Sequence, residues 1–428
     1  MSAGSRLQRF HENRIWTTAF GFWKSLGAAY LLVLRKYQAG ANGWNAIKAR
    51  MPTVVAHGVR CAGARLKWHL LRYGPIDKGL WEDLGKLLAY AEEKNETTAV
   101  LELQPGTQTT IQHEFLKTLM LGVSSTDSLL PAKLDLAERL IARFADQYVL
   151  QKQPSKGCHF YFDLTAGNQP ARFVDRIQSG SVRFFGPGNG SQAVAALAAA
   201  VRNDGAVPAN LYAGAQLEPG AIVEVLEHLA RYWSPQPPAR SGDRKRSVSR
   251  FSVVHGFDDI VGKINGDSQD LNFDETAETW AVENESEGGY GAVLPQAKAD
   301  WLKVGTLLGV RMSDGGAWGV GIVRRLTARE DNKLYVGIQL LARGATVVRL
   351  CTVGGSRNPQ DALLLPSSLT DSLAHDEMSL LLREGSFSPQ NSLEMQAYDR
   401  NYLLVPKRLV EGGNDFDMAR YRVLKRAA

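Results

Sequence analysis

The chain has 428 residues, 44% of them hydrophobic and 22% charged, with 41 glycines. At roughly 100 to 200 residues per domain it is too long for one hydrophobic core, and its composition excludes a disordered, collagenous or membrane-embedded chain. The formal net charge of +6 is unevenly spread: twelve Lys or Arg and one acid, Glu12, fall before residue 76, so the remainder is acidic overall. The three cysteines, Cys61, Cys158 and Cys351, are far apart and fit neither a disulfide framework nor a CxxC metal knuckle. A reducing cytoplasm is the expected setting.

Residues 15–34 are the longest apolar stretch near the start, but Lys24 breaks it. What stays uncharged, residues 26–34, is about half of the ~20 residues that a bilayer span needs, so no transmembrane helix is expected. Residues 1–14 are mixed and polar and do not read as a signal peptide. Across residues 1–75 the basic side chains are interleaved with Trp16, Phe20, Phe22, Trp23, Tyr30, Tyr37, Trp44, Trp68 and Tyr73. Such a segment can bind nucleic acid, anionic lipid or an acidic partner surface. It can equally be a helical layer whose aromatics pack inward while its charges are solvated or meet acids elsewhere. A peripheral position on the inner membrane fits the first of these readings.

Residues 76–233 read mainly as helix. Leucines at 80, 84, 87 and 88 give helical spacing over 77–93, and the pattern returns over 130–150 and 221–233. Short extended runs at 158–164 and 181–185 interrupt it. Ser234-Pro-Gln-Pro-Pro-Ala-Arg-Ser-Gly-Asp243 then reads as a Pro-rich linker. Beyond it the apolar runs are short, β-branched or Gly-flanked, at 251–257, 279–282, 307–312, 318–326, 334–341 and 347–352, which predicts an antiparallel barrel or sandwich over 244–355. Residues 330–333 make a hairpin loop. Residues 356–428 look like a small β module or an extension of the barrel. The expected fold class is multidomain α+β: a mostly helical region over 1–233, then a β-barrel, then a small C-terminal β region.

The linker runs into Arg244-Lys-Arg-Ser-Val-Ser-Arg250, an RxxxR pattern at Arg246 and Arg250. Some thirty residues on comes Asn284-Glu-Ser-Glu-Gly-Gly289, an NxSxxG pattern. Either pattern alone recurs by chance; the two in this order at the head of an all-β segment are more specific. Together with the Val304-Gly305 turn and the run Tyr335 to Leu341, they resemble the PilZ domain, the bacterial receptor module for cyclic di-GMP, over residues 244–350. The resemblance implies a ligand site of Lys245, Arg246, Arg250, Asn284, Ser286 and Gly289, and a basic residue at 245 implies a stacked ligand pair. The chemistry agrees. Cyclic di-GMP carries two phosphates and two guanines with O6 and N7 acceptors, and arginine's planar fork donates to either and stacks on a purine. Asn284 offers an amide, Ser286 a hydroxyl, and Gly289 close backbone approach. The arginines are expected on a mobile segment that closes over the ligand. The alternative is a solvated basic run and an ordinary polar strand end.

Other candidates are poorer. Gly186-Pro-Gly-Asn-Gly-Ser191 opens a helix but completes no phosphate-binding pattern. Cys158 and His159 point to opposite faces of an extended run. The eight histidines show no HxxxH or HExxH spacing, and no metal or cofactor is expected. His255 reads as a satisfied buried imidazole in the first barrel strand. Asp258-Asp259 and Glu283 with Glu285 have no catalytic context, so the expected class is a receptor and not an enzyme. The expectation is a cytoplasmic cyclic di-GMP receptor that binds at the linker-barrel junction and rearranges the helical region against a protein partner. The PilZ resemblance implies control of motility, adhesion or exopolysaccharide. The rivals are a ligand-independent scaffold with a degenerate barrel, and an anionic-surface binder acting through residues 1–75.

Overall fold

The computed structural model describes residues 3–173, 180–205, 207–208, 219–236, 245–266, 277–295, 301–313, 315–329, 331–354, 359–365, 377–397, 400–413 and 415–425. The chain divides into two compact units, Met1–Ala239 and Arg240–Ala428. Most of the expected linker, 237–243, and Arg244 lie outside the described residues.

The first unit is helical with two small sheets. Its helices are α1 (Ala3–Gln38), α2 (Met51–Leu70), α3 (Lys78–Glu93), α4 (Ile111–Val123), α5 (Pro131–Arg143), α6 (Gly190–Asp204) and α7 (Pro219–Trp233). Helix α3 starts where Asp77 can cap it: the carboxylate accepts from the Gly79 N–H at 2.9 Å. Leu80, Leu84, Leu87 and Leu88 then bury one stripe, each contributing about 1.5–3 kcal/mol of transfer free energy. Thr110 caps α4 in the same way through the His113 N–H at 3.0 Å. The hairpin of β1 (Leu101–Gln104) and β2 (Thr107–Thr109) leads into α4.

The helix expected over 130–150 stops at Arg143, and a 3-10 turn at Ala145–Gln147 turns the chain into strand β3 (Val149–Gln151). A short apolar run does not by itself tell helix from strand. Strand β3 joins β4 (Phe160–Asp163), β5 (Ala171–Arg172) and β6 (Val182–Gly186) in a sheet ordered β3-β6-β4-β5. Trp233 at the end of α7 is fully buried, donates to the Ser124 hydroxyl at 2.9 Å, and meets Tyr148 edge to face. The Gly186–Ser191 stretch leaves β6 and opens α6 at Gly190 without a side-chain cap.

The basic residues of the first 75 fall into two groups. Those of α2 meet acids: Arg65 pairs with Asp77 and Asp83, Lys67 with Asp135 and Glu138, and Arg60 with Glu114. Burial alone would push Glu114 up, but Lys117, Thr109 and Arg60 more than offset it and hold its carboxyl below the ordinary range. Burial lowers His69 to about 4, helped by Arg65. Arg14, Lys24, Arg35, Lys36, Lys48 and Arg50, on or after α1, are exposed. None of the six makes an ion pair among the described residues.

The second unit holds two closed six-stranded antiparallel barrels. The first uses β7 (Lys245–His255), β8 (Glu278–Ser286), β9 (Gly289–Pro295), β10 (Leu307–Met312), β11 (Gly319–Ala328) and β12 (Lys333–Ala342), in the order β10-β11-β12-β9-β8-β7. The second uses β13 (Thr346–Thr352), β14 (Gln360–Leu364), β15 (Glu377–Arg383), β16 (Leu393–Ala397), β17 (Arg400–Gly412) and β18 (Phe416–Lys425), in the order β16-β17-β18-β15-β14-β13. Numbered from its own first strand, each barrel has the same six pairings, including the closing one. The second barrel therefore repeats the connectivity of the first. The run at 347–352, read from sequence with the first barrel, is the opening strand of the second.

A short helix, α8 (Phe257–Gly266), follows β7 with Asp258 and Asp259 in its first turn, where carboxylates suit the helix dipole. That is the place of this acidic pair. Phe257, Ile260 and Val261 of α8 form one buried cluster with Leu307, Trp318 and Ile322 of the first barrel and Leu363, Leu365, Leu381 and Phe416 of the second. Arg383 pairs with Asp258, and Arg324 with Glu411, across the same contact.

Among the described residues no helix is long and apolar enough to cross a membrane, and no group of three or more His, Cys, Asp or Glu could hold a metal. Cys61, Cys158 and Cys351 are free thiols. His255 is not the buried imidazole expected from its strand position. It lies exposed at the end of β7, stacked on Trp301 at 3.7 Å between centroids.

Candidate functional site

Both sequence patterns fall on paired strands at one corner of the first barrel. Lys245 lies opposite Glu285 and Arg246 opposite Asn284 in the β7/β8 ladder, which sets their Cα atoms about 5 Å apart. The arginines were expected on a mobile segment; the structure places both in β7. Strand β10 pairs with β7 only from Phe251 onward, and Ser313 just beyond it reaches Arg250, so, among the described residues, 245–249 are paired by β8 on one edge alone.

A bulge separates the two arginines. Arg246 pairs with Asn284 but Ser249 pairs with Val282, leaving one extra residue on β7, and the Ser247 and Ser249 hydroxyls hydrogen-bond across it at 2.7 Å. Bulges re-aim side chains. Directly paired residues share a face of the sheet: Arg246 pairs with Asn284 and through it with Gly291, Arg250 pairs with Ala281 and through it with Val293, and Gly291 and Val293 are two residues apart on β9 and so face the same way. The corner thus brings Arg246, Arg250 and Asn284 to one face and sets Lys245, opposite Glu285, on the other. Lys245, Arg246 and Arg250 are all exposed. The Arg250 carbonyl is tied down by the Ser313 N–H at 3.0 Å and its hydroxyl at 2.7 Å.

Asn284 is the unusual member. Its side-chain carbonyl oxygen is buried and meets no donor among the described residues. Gly291, its partner on β9, leaves room for the amide: a Cβ there would come within 2.5 Å of that oxygen. Ser286 and Gly289 have a structural job. They close the β8/β9 hairpin, with the Ser286 hydroxyl donating to the Gly289 carbonyl at 3.3 Å. A Cβ on Gly289 would stand 2.0 Å from the Ile338 carbonyl oxygen, so no other residue fits. The hairpin fixes where Asn284 sits, and Gln339, opposite Gly289, is anchored by Arg324 at 2.7 Å.

The corresponding corner of the second barrel has the same pairing and none of this chemistry. Thr346, Val347 and Val348 pair with β14 before β16 joins at Arg349. Their neighbours on β14 are Ala362, Leu363 and Leu364, and Val347 and Leu363 pack against the first barrel. At its other end this barrel opens a polar cavity of about 330 Å³ lined by Thr352, Gln360, Ser386 and Asn391. Arg383 at that rim is taken up by Asp258.

A family model described as the N-terminal domain of the cyclic-di-GMP receptor FimW matches residues 3–155, and a model of the middle PilZ domain of that receptor matches residues 262–346. The chain belongs to the FimW cyclic-di-GMP receptor family. No curated protein matches it. The PilZ match takes in Asn284, Ser286 and Gly289 and the strands β8 to β12; β7, with Lys245, Arg246 and Arg250, precedes it, and the second barrel follows it. A FimW-family receptor is thus carried on a helical unit and a barrel that is followed by a second of the same connectivity.

What the sequence did not reveal is the orphaned acceptor on Asn284, because burial of one amide atom depends on Gly291, its partner on the neighbouring strand. The glycine in Tyr290-Gly291-Ala292 was the available signal, since a strand glycine marks close approach of another group.

Proposed function

We propose that cyclic di-GMP binds at the β7/β8 corner of the first barrel, gripped by Arg246 and Arg250 beside Asn284, with Lys245 reaching it around the singly paired edge of β7. The observation that carries this reading is the buried carbonyl oxygen of Asn284, without a donor and directly across the ladder from an exposed arginine. Leaving a buried acceptor unmet costs about 1–3 kcal/mol. A guanine N1–H or N2–H is a donor of the right kind, while Arg246 meets O6 and N7 or a phosphate. Ser286 and Gly289 act by holding the hairpin that positions Asn284.

Residues 237–244 join the two units and run straight into Lys245, so the ligand acts where the chain passes from one unit to the other. Binding there shifts how the helical unit is presented to a protein partner, through the ligand's different affinity for the arrangements available. Control of motility, adhesion or exopolysaccharide is the output that the PilZ resemblance implies.

Calorimetric titration of the full chain with cyclic di-GMP tests the site. Arg246→Ala should weaken binding about 10- to 100-fold, the range for a lost charge-assisted hydrogen bond of about 1.5–3 kcal/mol. Arg250→Ala should weaken it in the same direction. Unchanged affinity in both variants would remove the corner from consideration, and no binding by the intact chain would favour the scaffold reading.

A further inference from the structure

Helix α1 carries a second surface that the ligand site does not use. One side of it packs: Leu34 is buried, Trp16 stacks on Phe20 and donates to the Trp68 carbonyl at 2.7 Å, and Tyr30 stacks on His57. The opposite side is open, and large apolar side chains lie on it: Ile15 is 62% exposed, Phe22 56% and Leu32 48%. Ile15, Phe22 and Ala29 recur at seven-residue intervals, and Leu32 and Lys36 continue the same side. Isolated exposed apolar residues are ordinary, but a row of them along one helix marks an interaction surface.

The charges around the row are of one sign. Arg14 and Lys36 lie within about 60° of the row on α1, Lys24 and Arg35 lie further round, and Lys48 and Arg50 follow on the next turn, all exposed and none in an ion pair among the described residues. The basic residues of α2, by contrast, are matched by acids from α3, α4 and α5. Among residues 11–70 the exposed cations with no acid partner among the described residues therefore lie on α1, which also exposes its apolar side chains, and on the turn after it. A partner for this face must be anionic and must accept apolar side chains.

We infer that the outer face of α1 docks on an anionic lipid bilayer surface, with Ile15, Phe22 and Leu32 entering the headgroup boundary and the flanking lysines and arginines meeting lipid phosphates. Three observations select that occupant. A row that spans about 25 Å of one continuous helix suits a plane. Six exposed cations on and just after α1, with no acid partner among the described residues, would repel a second copy of the same face. A nucleic-acid backbone would use the cations but would leave the row of apolar side chains in water.

Flotation of the full chain with phosphatidylcholine vesicles, with and without phosphatidylglycerol, tests the proposal. Binding should require phosphatidylglycerol and weaken as salt is raised. It should fall about fivefold for each charge removed in Arg14→Ser and Lys36→Ser, and fall also in Phe22→Ser, with far-ultraviolet circular dichroism unchanged in all three. The proposal is overturned if the chain ignores phosphatidylglycerol, if Phe22→Ser binds vesicles as well as the parent, if the chain retards duplex DNA but does not float with vesicles, or if Phe22→Ser converts a dimer to a monomer in sedimentation.

Discussion

The two barrels of the second unit share every strand pairing, yet they present opposite chemistry at the same corner. In the first, the singly paired start of β7 carries Lys245, Arg246 and Arg250 across from Asn284. In the second, the singly paired start of β13 carries Thr346, Val347 and Val348 across from Ala362, Leu363 and Leu364. The connectivity dictates where an accessible strand edge occurs; the side chains decide whether it receives a ligand or a protein surface. The second barrel's corner is closed by the first barrel and α8, which bury Leu363 and Leu365. A fold that carries the proposed ligand corner in one copy serves as a packing platform in the other.

The sharpest way to break this comparison is to put the first barrel's chemistry into the second. Leu363→Asn places an amide where the first barrel tolerates one, but in a position that is fully buried between apolar neighbours. The lost burial and the unmet amide together should cost about 3–5 kcal/mol. Urea unfolding with hydrogen exchange resolved to residues 240–428 reads this, and protection should fall in both barrels because the cluster is shared. Loss confined to the second barrel would show that the two fold independently, and the platform reading would fail.

The reverse exchange is milder and more informative. Asn284→Leu removes the buried unmet acceptor and fills the space beside Gly291 with an apolar group. Cyclic di-GMP binding should be lost while the ligand-free chain becomes more stable, by up to about 1 kcal/mol. A stabilised, non-binding variant separates a site kept for a ligand from one kept for the fold. If Asn284→Leu were destabilising, Asn284 would be a structural residue and Arg246 would have no neighbour to share a guanine with.

Much of this contrast was legible in the sequence, and the rest was hidden for identifiable reasons. The alternation at 251–257, 307–312 and 334–341 marks half-buried strands because one face of each is in a barrel core. Strand β9 was not read, since Gly289-Tyr-Gly-Ala-Val-Leu-Pro295 is buried on nearly every residue and so shows no alternation. Helix α8 was not read, its ten residues being too short for a clear period, and only its first residue, Phe257, falls in the run at 251–257. The closure of the second barrel depends on β16 finding β13 and β18 finding β15 across long separations, which local pattern does not encode. At the site, the residue types and order were visible, while the register shifts in β7 and β8 that bring Asn284 to the face of the two arginines were not.

The smallest expected effect concerns how the barrels are held together. Asp415, at the turn between β17 and β18, accepts the backbone N–H of Leu307 from the first barrel at 3.2 Å. Burial, with Glu384 adding to it, pushes its carboxyl up to about 6 from an ordinary value of 3.8. A carboxyl whose pKa is raised by folding binds its proton more tightly in the folded state, so its contribution is complete below pH 3.8 and is lost as pH rises through 6. Stability of residues 240–428 should therefore decline across that window where Asp415 is responsible, against whatever other carboxylates contribute. Asp415→Asn keeps an acceptor for Leu307 and removes the charge, so it should flatten that part of the profile and leave the variant more stable than the parent at pH 7. Hydrogen exchange of β10 at pH 4.5 and pH 7 compares the two directly. Equal pH dependence in variant and parent would place the cost of ionisation elsewhere, and the contact would then be held by the apolar cluster and the Arg324–Glu411 and Arg383–Asp258 pairs alone.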